Sequence, residues 1–322
     1  MTERRLEVER GAMAGGGAGG AATPWFADPS GGSSGLRARP APTRIGPRIF
    51  RWGERTYVVG IINITPDSFS GDGLVAANHD ERGDVTGRAL AQARAMVADG
   101  ADLLDIGGES TRPGHAVVAA DEEIARIVPV LRAIRADLPE VPLSIDTTKL
   151  AVATAALDAG ADLLNDVWGV APDDSLARLA AERGVPLILM HNRPEARYAN
   201  LLAEVIADLW RAIERAVAAG CQAESLIVDP GFGFGKAAHH NLELLRRLPE
   251  LHVLGRPIML GTSRKSTLGQ VLDLPAGERL EATLATTTLA AAAGIDLVRV
   301  HDVRANVRVA RLTDAIVRGD VP

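Results

Sequence analysis

The amino-acid sequence predicts an α/β fold: a single TIM-type (βα)8 barrel over residues 48–322, behind a disordered N-terminal extension over residues 1–47. Three observations predict it. Eight short runs rich in β-branched residues alternate with longer amphipathic stretches. A unit recurs as DGADLLDI, AGADLLND and AGIDLVRV, each time placing a helix-ending glycine just before a strand. The dinucleotide fingerprint GxGxxG, which an open doubly wound sheet would carry after its first strand, is missing there.

The extension contains GAMAGGGAGGAA, PSGGSSG and RARPAPTR, which hold too few apolar side chains to offset the entropy of ordering. The barrel then opens with YVVGIIN (57–63), followed by DLLDI (102–106), PLSID (142–146) and LLND (163–166). PLILM (186–190), SLIVD (225–229), PIML (257–260) and LVRV (297–300) complete the eight. DEEIARIVPVLRAIRADL, LLAEVIADLWRAIERAVAAG and EATLATTTLAAAAG lie among them and are long enough for helices.

Composition narrows the function. The chain has 322 residues, 47% hydrophobic and 24% charged, a globular balance. A formal net charge of -6 argues against a nucleic-acid surface. Cys221 is the only cysteine, so no internal disulfide forms, and no Cys/His spacing suits zinc. The sequence contains neither a transmembrane-length apolar run nor a signal-peptide segment, so no membrane partner is expected and a reducing cytoplasm is the expected compartment.

In such barrels chemistry sits at the C-terminal ends of the strands. Those ends carry Asn63, Asp105, Asp146, Asn165 with Asp166, His191, Asp229, Ser263 to Lys265, and Arg299 with His301. A single strand-end Asp or Asn is explained by capping of a turn or helix, and for Asp105 and Asp166 that alternative stays open. Capping does not explain polar groups converging from nearly every strand. Asp146, Asn165 and Asp229 suit an NH-rich heterocycle in a dry pocket. Arg112, Lys265, Arg299 and His301 suit an oxyanion such as phosphate. GFGFGK after the sixth strand lacks P-loop spacing, and neither GESTR nor GTSRK completes a GxSxG elbow.

Seven segments carry a family resemblance: NITPDSFSGDG (63–73), DIGGESTRPG (105–114), SIDT (144–147), LNDV (164–167), DPGFGFGK (229–236), GTSRKS (261–266) and RVHDV (299–303). Together they resemble dihydropteroate synthase, a family of pterin-binding TIM barrels. The resemblance implies a transferase of folate biosynthesis that joins (7,8-dihydropterin-6-yl)methyl diphosphate to 4-aminobenzoate, with Mg2+ as cofactor. It implies that Asp146, Asn165 and Asp229 hold the pterin, that Lys265 reaches its ring carbonyl and N5, and that Arg299 stacks over it. Arg299, His301, Asn63 and Thr111 would surround the diphosphate, with Asn63 also contacting Mg2+. Asp67 and Arg112 would act with Lys265 in catalysis, and Pro113, Ser266 and Phe232 would line the aminobenzoate slot.

A homodimer and inhibition by sulfonamide-type compounds are also implied. The small-residue segment EATLATTTLAAAAG fits either a subunit interface or packing against the barrel. A methyltetrahydrofolate-to-corrinoid methyltransferase would share the pterin-holding residues but has no need of the anion-binding STRPG, SRKS and RVHD. Two segments depart from the family's commoner pattern. SFSGDG replaces SFSDGG, moving the acidic residue from position 71 to Asp72, and MHNRPEARY replaces MHMxG after Met190.

Overall fold

The computed structural model describes residues 39–64, 85–109, 118–169 and 171–319. Within them the eight predicted strands are β3 (Tyr57–Asn63), β4 (Leu103–Gly107), β5 (Leu143–Asp146), β6 (Leu163–Asp166), β7 (Leu187–Met190), β8 (Leu226–Asp229), β9 (Met259–Leu260) and β10 (Leu297–Val300). All pair in parallel, in the order β8-β7-β6-β5-β4-β3-β10-β9. The ring closes between β8 and β9 through a bridge from Val228 to Ile258, with Val228 N donating to Pro257 O at 2.9 Å.

Helices α1 (Val85–Ala98), α2 (Ala120–Asp137), α3 (Leu150–Asp158), α4 (Ser175–Arg183), α5 (Leu201–Ala218), α6 (Ala238–Arg246), α7 (Ser266–Leu272), α8 (Leu280–Ala292) and α9 (Val303–Arg318) follow the strands. In α5, Leu202, Val205, Leu209, Ala212, Ile213 and Ala216 form the buried stripe, and the Asn200 side chain accepts Ala203 N at 3.3 Å to satisfy a free helix-start amide.

The recurring unit has a physical basis. Gly100, Gly160 and Gly294 end their helices at φ of 101°, 107° and 79°, a region that favours glycine. Two residues later stand Asp102, Asp162 and Asp296, and each carboxylate accepts a backbone amide at the foot of the neighbouring strand. Val58 N reaches Asp102 at 2.9 Å, Leu143 N reaches Asp162 at 2.9 Å, and Ile258 N reaches Asp296 at 3.0 Å. The glycine turns the chain, and the aspartate ties the new strand to the one before it.

The N-terminal boundary needs correction. An extension ending at residue 47 would cut through a hairpin, β1 (Thr43–Ile45) paired antiparallel with β2 (Arg48–Phe50). Ile45, Phe50 and Trp52 are buried with Val59, Leu103, Leu163, Ile188, Ile227, Met259 and Leu297, the inward residues of seven strands. The hairpin thus plugs the bottom of the barrel. Phe50, Trp52 and Tyr57 cluster with ring centroids 4.8 to 5.7 Å apart, Phe50 stacking on Trp52 and Trp52 meeting Tyr57 edge-on. Thr43 Oγ1 accepts Trp52 Nε1 at 2.9 Å. The sequence TRIGPRIF is too short for its apolar pattern to be separated from the polar segment before it. Only the barrel floor gives Ile45 a partner.

Candidate active site

Side chains two residues apart on a strand share a face. Leu103 and Asp105, Leu163 and Asn165, Ile227 and Asp229, and Leu297 and Arg299 are such pairs, with the apolar member in the barrel floor. The same strands that close the floor therefore present Asp105, Asn165, Asp229 and Arg299 at the mouth. Register aligns a second set, because Asn63, Gly107, Asp146 and Asn165 are successive partners across β3 to β6.

Arg299 spans two carboxylates. Its Nε donates to Asp105 Oδ2 at 2.6 Å and its Nη2 to Asp146 Oδ2 at 2.8 Å. Asn165 Nδ2 donates to the same Asp105 oxygen at 3.1 Å; a carboxylate only accepts, so the Asn165 amide oxygen must face away from it. Asp105 Oδ1, Asp146 Oδ1 and Asn165 Oδ1 are buried with no hydrogen-bond partner among the described residues. Buried acceptors are normally paired, so these three are matched to a donor that the described residues do not supply. Burial pushes Asp146 up to about 7, opposed by Arg299.

Asp229 completes the floor of the site. Gly231 N donates to its Oδ1 at 2.7 Å, and burial raises its pKa against the attraction of Lys265. Burial pulls Lys265 down to about 8, and its Nζ donates to Phe232 O. On the anion side, Ser263 Oγ meets His301 Nδ1 at 2.9 Å and accepts His301 N at 3.2 Å. Arg264 adopts φ 56°, which is uncommon for a residue with a side chain. It is held there by Asp302, which takes Nε at 3.1 Å and Nη2 at 2.8 Å, and by Arg279, which donates to its carbonyl at 2.9 Å.

The structure brings Asp146, Asn165, Asp229, Lys265 and Arg299 to one mouth, with Asn63 and His301 at adjoining strand ends. Ser266 is exposed as the first residue of α7. Phe232, expected in the aminobenzoate slot, is fully buried in the outer core, with Lys265 Nζ 5.9 Å from its ring centre. Asp67, Thr111, Arg112 and Pro113, and the SFSGDG segment, lie outside the described residues. The open alternative at two aspartates is resolved by geometry: Asp105 binds Arg299 in the mouth, whereas Asp166 accepts Trp168 N at 2.9 Å and caps a turn. The MHNRPEARY segment forms a polar wall. Asn192 Nδ2 donates to Val167 O at 3.2 Å, Arg193 pairs with Asp208 and Glu204 at 2.7 Å each, and Tyr198 donates to Gly235 O at 2.8 Å.

The family model described as pterin binding enzyme matches residues 59–301, which includes every strand-end residue from Asn63 to His301. The dihydropteroate synthase of Clostridium beijerinckii is 48% identical over 276 residues, 85% of this chain and 99% of that protein. The chain belongs to the dihydropteroate synthase family. The solved structure of Xanthomonas albilineans dihydropteroate synthase with 4-aminobenzoic acid superposes with TM-score 0.79 at 38% identity, over 88% of this chain and 100% of that one. The Yersinia pestis dihydropteroate synthase in a sulfonamide drug complex gives TM-score 0.78 at 38% identity, over 87% and 100%.

Within the framework of a dihydropteroate synthase, the sequence left three side chains at the mouth without a role. Asp105 was legible from the period-two alternation of DLLDI, which puts it on the same face as Leu103. Lys236 and His191 lie on successive loops at the mouth and bond to each other at 2.9 Å. The only signal for that pair was a lysine closing the glycine-rich GFGFGK, whose glycines 231, 233 and 235 all take positive φ.

Proposed function

We propose that the chain is a dihydropteroate synthase, joining (7,8-dihydropterin-6-yl)methyl diphosphate to 4-aminobenzoate to give 7,8-dihydropteroate and diphosphate. The observation that carries this reading is the trio of unpartnered buried acceptors, Asp105 Oδ1, Asp146 Oδ1 and Asn165 Oδ1, set between the cations Arg299 and Lys265. A pterin offers several ring N–H donors and one ring carbonyl. Asp146, Asn165 and Asp229 take the donors, and the Lys265 ammonium takes the carbonyl and N5. Arg299 lies across the ring.

The bond that breaks joins the exocyclic methylene to a diphosphate oxygen; the bond that forms joins that carbon to the aminobenzoate nitrogen, which then gives up a proton. Positive charge growing on the methylene spreads into the pterin, so no protein nucleophile is needed. Negative charge growing on the diphosphate is met by Arg299, His301, Thr111 and Arg112. Asp67 and Arg112 close the site against water, while Pro113 and Ser266 frame the aminobenzoate. Phe232, buried in the core, acts there only through its carbonyl, which holds the Lys265 ammonium.

Among the described residues no cluster of three or more His, Cys, Asp or Glu suits a metal ion. Asn63 at the end of β3 offers an amide oxygen, a hard donor of the kind Mg2+ takes beside waters and substrate phosphate oxygens. Asn63 would supply the protein oxygen, and the ion, when bound, would neutralise charge on the departing diphosphate. No described helix is long and apolar enough to cross a membrane. In this reading the enzyme works in the cytoplasm as a homodimer, supported by Leu312 and Ile316, which lie four apart on α9 and are 65% and 67% exposed.

The deciding experiment incubates the purified chain with both substrates and Mg2+ and follows dihydropteroate. Product formation inhibited by a sulfonamide competitively with 4-aminobenzoate is expected. Absence of product from folded protein that binds pterin would overturn the assignment.

A further inference from the structure

Lys236 closes the glycine-rich turn after β8, and no step of the proposed reaction uses it. Its Nζ donates to three acceptors, His191 Nδ1 at 2.9 Å, Gly231 O at 3.0 Å and Phe234 O at 3.2 Å. Burial pulls Lys236 down to about 7, and in its protonated form its three N–H donors match these three acceptors one to one. The first acceptor belongs to a different loop. Burial and the neighbouring ammonium hold His191 down at about 3, which keeps the imidazole neutral. With Nδ1 accepting, Nε2 carries the proton and donates to Asp208 Oδ2 on α5 at 3.1 Å. Lys236, His191 and Asp208 thus tie the turn to the end of β7 and to α5.

The tied turn carries half of the pocket. Gly231 N holds the Asp229 carboxylate at 2.7 Å, and Phe232 O receives the Lys265 ammonium. A Cβ on Gly231 would stand 1.8 Å from His191 O, and Gly233 lies so close to Lys265 that a Cβ there would be 2.8 Å from its Cδ. The turn packs against the His191 carbonyl on one side and the Lys265 side chain on the other. A shift of the turn displaces both the carboxylate and the ammonium that face the ring.

We propose that Lys236 is a positioning residue of the pterin pocket, its ammonium tying the 231–236 turn to His191 and so setting where Asp229 and Lys265 stand. The inference rests on the pterin-binding reading above. Lys236→Met keeps the stem and removes the three donors. By calorimetric titration, its Kd for 6-hydroxymethylpterin is expected to rise at least tenfold, about 1.4 kcal/mol. Its Kd for inorganic diphosphate with Mg2+ should change less than twofold, since the groups assigned to that anion lie on other loops.

Unchanged pterin affinity would overturn the proposal. Equal loss of both ligands would also overturn it, because a general structural defect does not choose between them. If Lys236→Met does not accumulate as folded protein, Lys236→Gln is held to the same two thresholds. A wild-type chain that fails to bind the pterin sinks the functional reading itself, a result distinct from any difference between wild type and variant.

Discussion

Asp229 is buried among Lys265, Lys236 and Arg299, and one of its oxygens is bound by Gly231 N. Removing this carboxylate leaves the ligand's N–H donors buried and unpaired, at about 1 to 3 kcal/mol or more. Asp229→Ala is therefore expected to weaken pterin-analogue binding by roughly tenfold to a hundredfold, measured by calorimetry. Near-wild-type affinity would remove Asp229 from the pocket. Lys265 carries a pH dependence whose sign follows from its cause. Burial lowers its pKa to about 8, so the ammonium proposed to donate to the ring carbonyl is present below pH 8 and lost as pH rises through it. Affinity for a pterin analogue that does not titrate in that range should hold to pH 7 and decline above 8. Lys265→Met should bind weakly with no such decline, and a profile shared by wild type and variant would assign the titration elsewhere.

At the scale of elements, the β1–β2 hairpin makes a prediction opposite to the one its composition suggests. A chain beginning at Pro47 loses Ile45 from the barrel floor and strips Trp52 Nε1 of its acceptor Thr43. Loss of a buried aliphatic side chain costs about 2 to 5 kcal/mol and an orphaned buried donor about 1 to 3. Denaturant unfolding should show that truncation destabilised by several kcal/mol, while a chain beginning at Arg39 retains these partners and should match the full chain. Equal stability of the two truncations would show that the hairpin is not part of the core. The barrel strands were legible to within two residues because their apolar runs are bounded by Gly, Pro and Asp. The hairpin was not, because its two three-residue strands bury Ile45 and Phe50 against residues of seven barrel strands, six of them far away in the chain.

For the whole molecule, α9 faces α8 on one side and solvent on the other. Thr283, Thr286, Thr287, Ala290 and Ala291 of α8 are buried, and Thr287 Oγ1 donates to Asn306 of α9 at 2.7 Å, so packing within the chain accounts for that helix's small residues. Leu312 and Ile316 remain exposed on α9. If this face joins two copies, the double substitution Leu312→Asp with Ile316→Asp should convert a dimer to a monomer in light scattering at micromolar concentration, leaving the melting of the barrel otherwise intact. A wild-type monomer under those conditions would refute the dimer outright.

Strand count, parallel order and the polar residues of the mouth follow from the sequence, because strand periodicity and strand-end chemistry are local properties of the chain. DIGG, SIDT, LNDV and DPGF each display their acid or amide at the strand end without reference to any other segment. What the tertiary structure alone decided is pairing across distance. Arg299 is 194 residues from Asp105 yet donates to it at 2.6 Å, and Lys236 is 45 residues from His191, and neither spacing has a period. Asp105 and Asp166 both end a strand, but Asp105 lies two residues after Leu103 and Asp166 three after Leu163, so they point to opposite faces: one bonds a cation in the mouth and the other a turn amide. Which groups share a proton, a charge or a buried gap depends on the closure of the barrel, and that closure is a property of all eight strands together.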